Sequence, residues 1–368
     1  MNFKIEKSAL NKYLKVVSRM IDDNNAHIIR QGICIKVLEK EIQLIGSDEE
    51  ISIKARIAQD NKLEIYETGQ VVINAKLFRQ MIDKSEKDIQ IVKNKNILLI
   101  NSNNTKYQLP IFNSQEYPYI DFSASGSEMI LDYKEFKRLF TGVSSSTEPG
   151  DDKPQTSSIH ISVLQNVLTM GASDSWRLSY AQTNVNTQMN KSFVIKEKHL
   201  KRIWVDELGE RVQVYVNDNE LCVKNDNLII KTKLASVMYI DFSKHLQQLD
   251  QSQATTIEIK KSELNNLLNK VIQDSSVQDN KITLQLQKNK LTLKSQTPAA
   301  GIMESSTEDF LFKGLEQEID INNKFLTDAI KTTNETISLS VGAEAEHVFI
   351  CNMPLNGIIH YIATLTRR

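Results

Sequence analysis

The sequence is poor in cysteine, glycine and proline, and each shortage excludes a class of protein. Its 368 residues include 3 cysteines, 12 glycines and 6 prolines. Three widely separated cysteines with no Cys-x-x-Cys spacing exclude a disulfide scaffold and a zinc finger, and they are typical of a reducing compartment. The scarcity of glycine and proline excludes collagen-like and low-complexity chains. We therefore expect a globular protein of the cytoplasm.

Long apolar runs and an excess of charge of one sign are also missing. No window reaches about 18 consecutive apolar residues, which argues against a transmembrane helix, and the N-terminal segment mixes charged and apolar residues unlike a signal peptide. The chain holds 45 basic and 46 acidic side chains, a net charge of −1. This balance excludes a uniformly basic nucleic-acid-binding protein, but it allows a basic face on an otherwise acidic molecule.

Motifs of catalysis and metal binding are absent as well. The six histidines show no His-x-x-x-His spacing, and the sequence has no P-loop, nucleophile elbow or dinucleotide-binding glycine motif. We therefore predict no metal site, no cofactor and no enzymatic activity. A carboxylate-based hydrolase is the alternative from a different class, because its site leaves no local motif. The acidic run Asp48-Glu49-Glu50 is more typical of a solvated turn than of such a site.

What the sequence does contain is a spacing of apolar residues that occurs six times. Counted from an apolar origin, positions +5, +8 and +9 are apolar in every copy, which at 40% apolar composition has a chance on the order of 10⁻⁷. This spacing is the buried stripe of a short amphipathic helix that follows a strand. Asn74, Asp132 and Asn322 stand just ahead of three helices, as N-cap residues do. The six origins are Ile5, Ile73, Leu131, Ile195, Ile259 and Ile321.

Segments with strand-like alternation separate the predicted helices, and the whole pattern repeats at one domain length. The first, third and fifth origins lie 126 and 128 residues apart, which is an ordinary domain size. We predict an α+β fold of three similar domains, residues 1–123, 124–250 and 251–368. Each domain would pack two helices on antiparallel sheets.

Basic residues are concentrated on the predicted helices. The segments 7–20, 75–84, 133–141, 197–206, 261–271 and 323–331 hold 17 basic and 6 acidic residues, whereas the rest of the chain holds 28 basic and 40 acidic ones. The helices thus carry +11 on a neutral protein, which suggests that they face a polyanion. The alternative is an ordinary solvated face, since lysine and arginine are good helix formers.

The candidates for phosphate contact lie opposite the buried stripe, mostly at positions +6 and +7. Domain three has uncharged or acidic residues at these positions, so we expect a weaker grip there. Contacts of these residues with a polyanion would be sensitive to salt. The candidate residues are Lys12, Lys15, Arg19, Arg79, Lys137, Arg138, Lys201 and Arg202.

Six strand–helix units in three domains resemble the bacterial DNA polymerase III beta subunit family, the DNA sliding clamps. Leu44–Ile53 resembles the first-domain hairpin of the family, and Glu116–Asp121 resembles its domain-one ending. Ala172–Ala181 is similar to its Thr-Asp-x-His-Arg-Leu-Ala signature, and Ile321–Ile330 resembles its last helix. The resemblance implies the DNA clamp fold, a head-to-tail homodimeric ring around double-stranded DNA, and no catalysis. It implies the DNA polymerase III alpha subunit, the clamp loader and other proteins with a clamp-binding motif as partners, at the nucleoid.

By the same resemblance, a pocket between domains two and three binds partner peptides. Trp176 stands where the family has histidine, and Ile240 and Leu365 stand where it has proline. These departures indicate a shifted partner preference, and they leave open that the chain is a divergent paralogue from a mobile element or phage. The residues implied are Ser173, Trp176, Arg177, Leu178, Ile240, Lys244, Ile362, Leu365 and Arg367.

The ring interface implied by the resemblance joins domain one of one chain to domain three of the next. Tyr107 and Leu109 occupy the edge strand of domain one, and Ile272, Gln273 and Asp274 lie on the domain-three side. Because a stable interface needs an apolar centre, the polar pair Gln273 and Asp274 predicts a dimer that dissociates more readily than is usual in the family.

Overall fold

All six segments predicted to be helical form helices in the computed structural model. The structure describes residues 1–150, 153–243, 246, 253–271, 280–297, 301–352 and 357–365. The helices are α1 (Lys7–Ser18), α2 (Ala75–Lys84), α3 (Tyr133–Ser144), α4 (Glu197–Ile203), α5 (Lys261–Lys270) and α6 (Asn323–Lys331). Short 3₁₀ turns cover Ile28–Gln31 and Asp206–Leu208. None of the described helices is long and apolar enough to cross a membrane.

The strands fall between the helices as the alternating segments predict. Domain one holds β1 (Asn2–Glu6), β2 (Gly32–Val37), β3 (Glu41–Ser47), β4 (Ile51–Ala58), β5 (Leu63–Glu67), β6 (Gly69–Asn74), β7 (Asp88–Asn94), β8 (Ile97–Ser102) and β9 (Thr105–Phe112). Domain two holds β10 (Ser127–Asp132), β11 (Ser158–Leu164), β12 (Val167–Ser173), β13 (Arg177–Asn184), β14 (Lys191–Lys196), β15 (Arg211–Val216), β16 (Glu220–Lys224) and β17 (Leu228–Lys233). Domain three holds β18 (Gln253–Lys260), β19 (Lys281–Gln287), β20 (Lys290–Thr297), β21 (Gly301–Thr307), β22 (Leu311–Gly314), β23 (Gln317–Asn322), β24 (Thr336–Gly342), β25 (His347–Asn352) and β26 (Ile358–Ala363).

The three domains share one topology. The strand before the first helix pairs with the strand after the second helix, as β1 with β7, β10 with β15 and β18 with β24. The strand after the first helix pairs with the strand before the second, as β2 with β6, β11 with β14 and β19 with β23. Every one of these pairs is antiparallel. The predicted fold of three similar α+β domains is confirmed.

The chain forms two compact units, and the second domain contributes to both. Unit 1 comprises residues 1–133, 186–189 and 198–234, and unit 2 comprises 134–185, 190–197 and 235–368. Unit 1 contains a 13-stranded sheet, in which β4 of domain one pairs with β17 of domain two. Unit 2 contains a nine-stranded sheet, in which β13 pairs with β26, and a four-stranded sheet.

The apolar stripe of each helix is buried as its spacing predicts. Fifteen of the eighteen side chains at positions +5, +8 and +9 are buried, and the other three, Tyr13, Met81 and Phe140, are half-buried. Trp204 belongs to this set: its side chain is buried and its ring lies 5.7 Å from that of Tyr133. The periodicity of the sequence thus identifies the helix faces that build the cores.

Asn74 and Asn322 cap their helices as predicted, and lysines bind the helix ends in a repeated way. Asn74 Oδ1 accepts a bond from the backbone of α2, and Asn322 Oδ1 accepts one from the backbone of α6. Lys7 donates to the carbonyl of Ser85 over 2.8 Å, just past the end of α2. Lys261 donates to the carbonyl of Thr333 over 2.7 Å, just past α6. A cation at a helix C-terminus is favourable, because the last carbonyls carry partial negative charge.

Candidate DNA-binding and peptide-binding sites

The predicted DNA-binding lysines are exposed on their helices. Lys12 and Lys15 on α1, Lys137 on α3 and Lys201 on α4 are all exposed, in contrast to the buried stripe on the same helices. Arg19, one residue past α1, is exposed, and Arg79 on α2 is half-buried. Exposed ammonium groups can meet phosphate at little desolvation cost.

Two of the predicted arginines are engaged within the chain. Arg202 donates through Nη1 to the carboxylate of Asp48 and through Nε to the carbonyl of Arg19 over 2.9 Å. Arg138 Nε lies 3.0 Å from Oε2 of Glu135, one turn earlier on α3. Arg202 therefore holds α4 to the region after α1 within unit 1, a tertiary contact that its position in the repeat could not predict.

The acidic run Asp48-Glu49-Glu50 is a salt-bridged turn. Asp48 Oδ1 accepts the backbone N–H groups of Glu50 and Ile51. Glu49 lies 2.9 Å from Arg30, and Glu50 lies 3.3 Å from Lys233. Across the described part of the chain no group of three or more metal-ligating side chains is found. This arrangement does not favour the hydrolase alternative.

The signature segment of domain two forms a tight turn between β12 and β13. Asp174 Oδ1 accepts the backbone N–H of Trp176 at 3.1 Å and that of Arg177 at 3.0 Å. Ser173 Oγ donates to the Arg177 carbonyl and accepts the N–H of Ser175. Ser175 adopts a positive φ of 77°, which is unusual for a residue with a side chain. The turn leaves Trp176 61% exposed.

Arg177 is buried, and its guanidinium interacts with other side chains of unit 2. Its Nε donates to Asp174 Oδ2 at 2.9 Å, and its Nη1 donates to Asp328 Oδ2 at 3.0 Å. Its guanidinium also lies 4.3 Å from the ring centroid of Phe325 on α6. The charge of Arg177 is thus paired with two carboxylates of its own chain.

Trp176 lines a cavity of about 530 Å³. Arg177, Phe325 and Asp328 line it together with residues that precede β11. We call this space the turn cavity. Its lining combines side chains of both charges with apolar surface, and it is completed by Ser145, Thr147, Glu148, Pro149, Lys153, Thr156, Asp174, Ser175 and Lys324.

The remaining predicted pocket residues divide between the two faces of the nine-stranded sheet. Leu178 packs in an apolar cluster with Tyr180, Phe242, Leu246 and Phe349, which Ile240, Ile359 and Tyr361 adjoin. Ile362 is buried in a different cluster, the core of domain three. Side chains alternate between faces along a strand, so Ile362 on β26 lies opposite to its neighbour Tyr361. Tyr361 therefore shares a face of the sheet with Leu178, whereas Ile362 lies on the other face, and the predicted pocket stays a prediction.

Beside this apolar cluster lies a cavity of about 700 Å³, which we call the outer-face cavity. Tyr180, Leu246, Phe349 and Ile359 belong to both the cluster and the cavity. Hydroxyl groups complete the lining, among them those of Ser162, Thr169, Tyr239, Ser243, Ser338 and Ser340. Sequence reasoning missed Tyr180, Phe349 and Ile359, although counting every second residue from Leu178 along β13 would have found Tyr180.

On the helix side of the same sheet, a buried polar chain runs through His360. Ser179 Oγ lies 2.7 Å from His360 Nδ1, and Thr332 Oγ1 lies 2.6 Å from its Nε2. Ser146 Oγ lies 2.6 Å from Ser179 Oγ. Burial, and then the nearby charge of Arg177, lowers the pKa of His360 to about 4. His360 is therefore neutral at pH 7 and serves as a hydrogen-bonding link between β13, β26 and α6.

Several predicted residues lie outside the described part of the chain: Lys244, Ile272, Gln273, Asp274 and Arg367. Leu365 is described: it is half-buried, and its N–H donates to the carbonyl of Asp320 over 2.7 Å. Leu365 is therefore a described residue at the C-terminal end of the predicted pocket.

The edge strand predicted for the ring interface has an open side. β9 pairs with β8 along Thr105–Pro110, but it pairs with β6 only at Ile111 and Phe112. Tyr107 is half-buried on this strand, whereas Leu109 is buried inside unit 1. Leu109 therefore packs inside unit 1, and its role in the ring interface stays a prediction.

The chain matches one family along nearly its whole length. The models of the DNA polymerase III beta subunit match residues 1–121 with the N-terminal domain, 130–241 with the central domain and 247–363 with the C-terminal domain.

The chain belongs to the DNA polymerase III beta subunit family.

Relatives of this family are similar over the full length. The beta sliding clamp of Mycoplasmopsis pulmonis is 26% identical over 359 residues, 94% of each chain. That of Streptococcus pneumoniae is 23% identical, over 92% of each chain. The crystal structure of the Bacillus subtilis sliding clamp covers 100% of both chains with a TM-score of 0.93 at 20% identity. The predicted family is confirmed, and its function is that of a sliding clamp in DNA replication.

Proposed function

We propose that this sliding clamp encircles duplex DNA as a head-to-tail homodimer and tethers the replicative polymerase to its template. The observation that carries the proposal is the topology repeated in three domains, which coincides with the family match over almost all of the chain. In this role the protein acts by topology and by loose phosphate contacts, and no bond is made or broken. We keep the division into residues 1–123, 124–250 and 251–368 as part of the proposal.

The exposed lysines support sequence-independent DNA contact. Lys12, Lys15, Lys137 and Lys201 extend from helices whose opposite faces are buried. Arg138 and Arg202 have carboxylate partners within the chain, so part of their charge is already neutralised. Point-like ammonium charges suit a clamp that must slide, because they bind phosphate without reading base edges.

Two open strand edges support the head-to-tail contact. The β9 edge beside Tyr107 is one, and β21, the last strand of its four-stranded sheet, is the other. Ile302 on β21 is 66% exposed, and an exposed apolar side chain on an open edge is typical of a strand that pairs with another chain. We propose that β9 of one copy meets β21 of the next. Two different surfaces then join, and the assembly closes only if the rotations complete a full turn.

We propose that partner peptides bind on the outer face of the nine-stranded sheet in unit 2. Leu178, Ile240 and Tyr361 would form the apolar wall, and the outer-face cavity would receive the anchoring side chain. Trp176 at the turn cavity would contact the other end of the peptide. Peptides of this kind have affinities in the micromolar range, about −8 kcal/mol, because they bury little area.

The partners we propose are the DNA polymerase III alpha subunit, the clamp loader and other proteins that carry a clamp-binding motif, acting at the nucleoid in the cytoplasm. The direct test is primer extension by the polymerase of the same organism on a long single-stranded template with its clamp loader. Addition of the chain should lengthen the products of one binding event several-fold. Products of unchanged length, with a loader that is active on another clamp, would contradict the proposal.

A further inference from the structure

Unit 1 contains a small cavity beneath the segment that ends domain one. Tyr117, Ile120 and Phe122 pack against Cys34 and Ile45 of the sheet. The Tyr117 hydroxyl donates to the carbonyl of Ile45 at 3.3 Å. Between this segment and the sheet lies a cavity of about 200 Å³, which we call the domain-one pocket. Lys36 and Gln70 form part of its wall, and Tyr119, with 90% of its side chain exposed, stands at its rim.

The domain-one pocket stands in the same structural place as the peptide site proposed in unit 2. The sequence Tyr-Ile-Asp-Phe occurs at Tyr119–Phe122 and again at Tyr239–Phe242. The second copy packs on the outer face of β11–β13, where the Ile240 N–H donates to His160 Nδ1 at 3.1 Å. In both units the sheet then continues into the next domain, from β4 to β17 and from β13 to β26.

The strand registers assign the equivalent residues one by one. In unit 2, His160 pairs with Gly171, and Gly171 pairs with Tyr180. In unit 1 the corresponding pairs are Cys34 with Ile45 and Ile45 with Lys54. Lys54 therefore occupies the position of Tyr180.

The residue pairs on the strands of the next domain extend the comparison. Tyr180 pairs with Ile359, and Ile359 pairs with Cys351. Lys54 pairs with Ile229, and Ile229 pairs with Lys224. The outer face in unit 1 thus carries two lysines where the face in unit 2 carries an aromatic ring and a thiol.

Several cations and two carboxylates lie close together beside the domain-one pocket. Burial lowers the pKa of Lys54, and the charges of Arg56 and Lys36 lower it further, whereas those of Glu41 and Asp121 raise it. Of the nearby carboxylates, Glu41 is bonded to Arg56 at 2.6 Å. Asp121 accepts the N–H and the hydroxyl of Ser123. The Lys54 ammonium lies 5.0 Å from the Phe122 ring centroid, so it remains close to the apolar segment that covers the pocket.

We propose that the domain-one pocket is a second docking site, which binds an acidic peptide segment of a partner protein through one aromatic anchor. The pocket is smaller than the roughly 300–1,000 Å³ of ordinary small-molecule sites, so it fits one side chain rather than a cofactor. The exposed ring of Tyr119 supplies the aromatic contact that interface centres favour. Lys36 and Lys54 meet the carboxylates that flank the anchor, which supplies charge complementarity. The peptides expected at the outer face of unit 2 are apolar, and at the domain-one pocket they would meet lysines in place of an apolar wall.

The test is a fluorescence anisotropy titration of the full-length protein with a fluorescein-labelled peptide, Glu-Asp-Glu-Phe-Asp-Glu. We expect weak binding, with a Kd on the order of 10–100 µM that rises with salt. Lys36→Gln combined with Lys54→Gln should raise this Kd at least about fivefold, and Tyr119→Ala should raise it similarly. Lys40→Gln combined with Lys62→Gln removes two exposed lysines from turns of the same unit, and this matched control should leave the Kd unchanged.

Further arms separate the domain-one pocket from the site in unit 2. Lys54→Tyr installs the side chain found at the equivalent position, and it should abolish the preference for the acidic peptide over its all-glutamine version. A peptide with serine in place of phenylalanine should bind much more weakly. Absence of binding up to 1 mM, equal binding of the glutamine peptide to the wild-type protein, or loss of binding in Trp176→Ala but not in the lysine variants would overturn the proposal. None of these results depends on whether the protein encircles DNA.

Discussion

Arg177 on β13 and Asp328 on α6 are joined by a hydrogen-bonded ion pair of 3.0 Å inside unit 2. The pair links the strand that follows the signature turn of domain two to the last helix of domain three. The Arg177 side chain is 9% exposed and that of Asp328 is 17% exposed. Breaking a pair that is this shielded from solvent leaves a charge with fewer partners, which is costly.

We predict that Asp328→Asn lowers the free energy of unfolding by about 1–3 kcal/mol, because Asp174 still pairs with Arg177 and limits the loss. Asp309→Asn is the matched control, since Asp309 forms only a solvent-exposed pair of 3.8 Å with Lys260. The control should change stability by less than about 0.5 kcal/mol. Urea unfolding of both variants, followed by circular dichroism, measures the difference. Equal effects of the two substitutions would show that the Arg177–Asp328 pair contributes no more to stability than an exposed pair.

The buried histidine predicts a dependence of stability on pH. His360 has a folded-state pKa of about 4 and an ordinary value of 6.5. Below pH 6.5 the unfolded chain binds a proton at His360 that the folded chain does not bind. The contribution of His360 to the free energy of unfolding is therefore fully present above pH 6.5 and is lost as the pH falls towards 4. The loss amounts to about 3 kcal/mol.

His360→Gln should remove this part of the pH dependence, because glutamine offers Ser179 and Thr332 a polar group that does not titrate in this range. His27→Gln changes an exposed histidine and serves as the control. Thermal midpoints between pH 4 and pH 7.5 should converge for wild type and His360→Gln at low pH. A wild-type profile that His360→Gln leaves unaltered in slope would refute the assignment.

The DNA-contact assignment predicts a graded effect of charge reversal. Lys12, Lys15, Lys137 and Lys201, each changed to Glu, should together reduce the slope of log K against log salt by several units, because each lost phosphate contact removes about 0.9. The measurement is anisotropy of a labelled duplex over a salt series. Reversal of Lys40, Lys62, Lys95 and Lys288, exposed lysines of the strand turns, makes an equal change in net charge and should have a much smaller effect. A slope that responds equally to both sets would show that the helices are not the contact surface.

The exposed tryptophan predicts a shifted peptide preference. Trp176→His should strengthen the binding of a glutamine-leucine-phenylalanine-type peptide several-fold, because it restores the residue that the family has beside the pocket. Tyr66→His replaces an exposed aromatic residue in unit 1, and this control should not alter the affinity. Isothermal titration of both variants decides the matter. Tight binding by the wild type that Trp176→His leaves unaltered would show that Trp176 does not tune the site.

The helices could be predicted from sequence, whereas the pocket faces could not. A helix reveals its buried side through local spacing, and all six +5 side chains, such as Leu10 and Phe78, are buried as expected. The choice between Ile362 and Tyr361 depends on a single step of strand register, which moves a side chain to the opposite face. The partner of Arg202, Asp48, lies 154 residues away along the chain, and only the folded unit brings them together. Local periodicity was therefore enough to predict the helices, whereas the site depends on contacts between residues that lie far apart in the sequence.

The central claim is that two copies enclose DNA, and a topological release experiment tests it most directly. The protein is loaded by its clamp loader onto a nicked circular plasmid, washed in high salt, and the plasmid is then cut once with a restriction enzyme. We predict that the protein stays on the circle, in two copies per ring, and leaves when the circle is linearised, because phosphate contacts alone do not survive high salt. Loss from the intact circle in high salt, or equal retention on circular and linear DNA, would contradict the account.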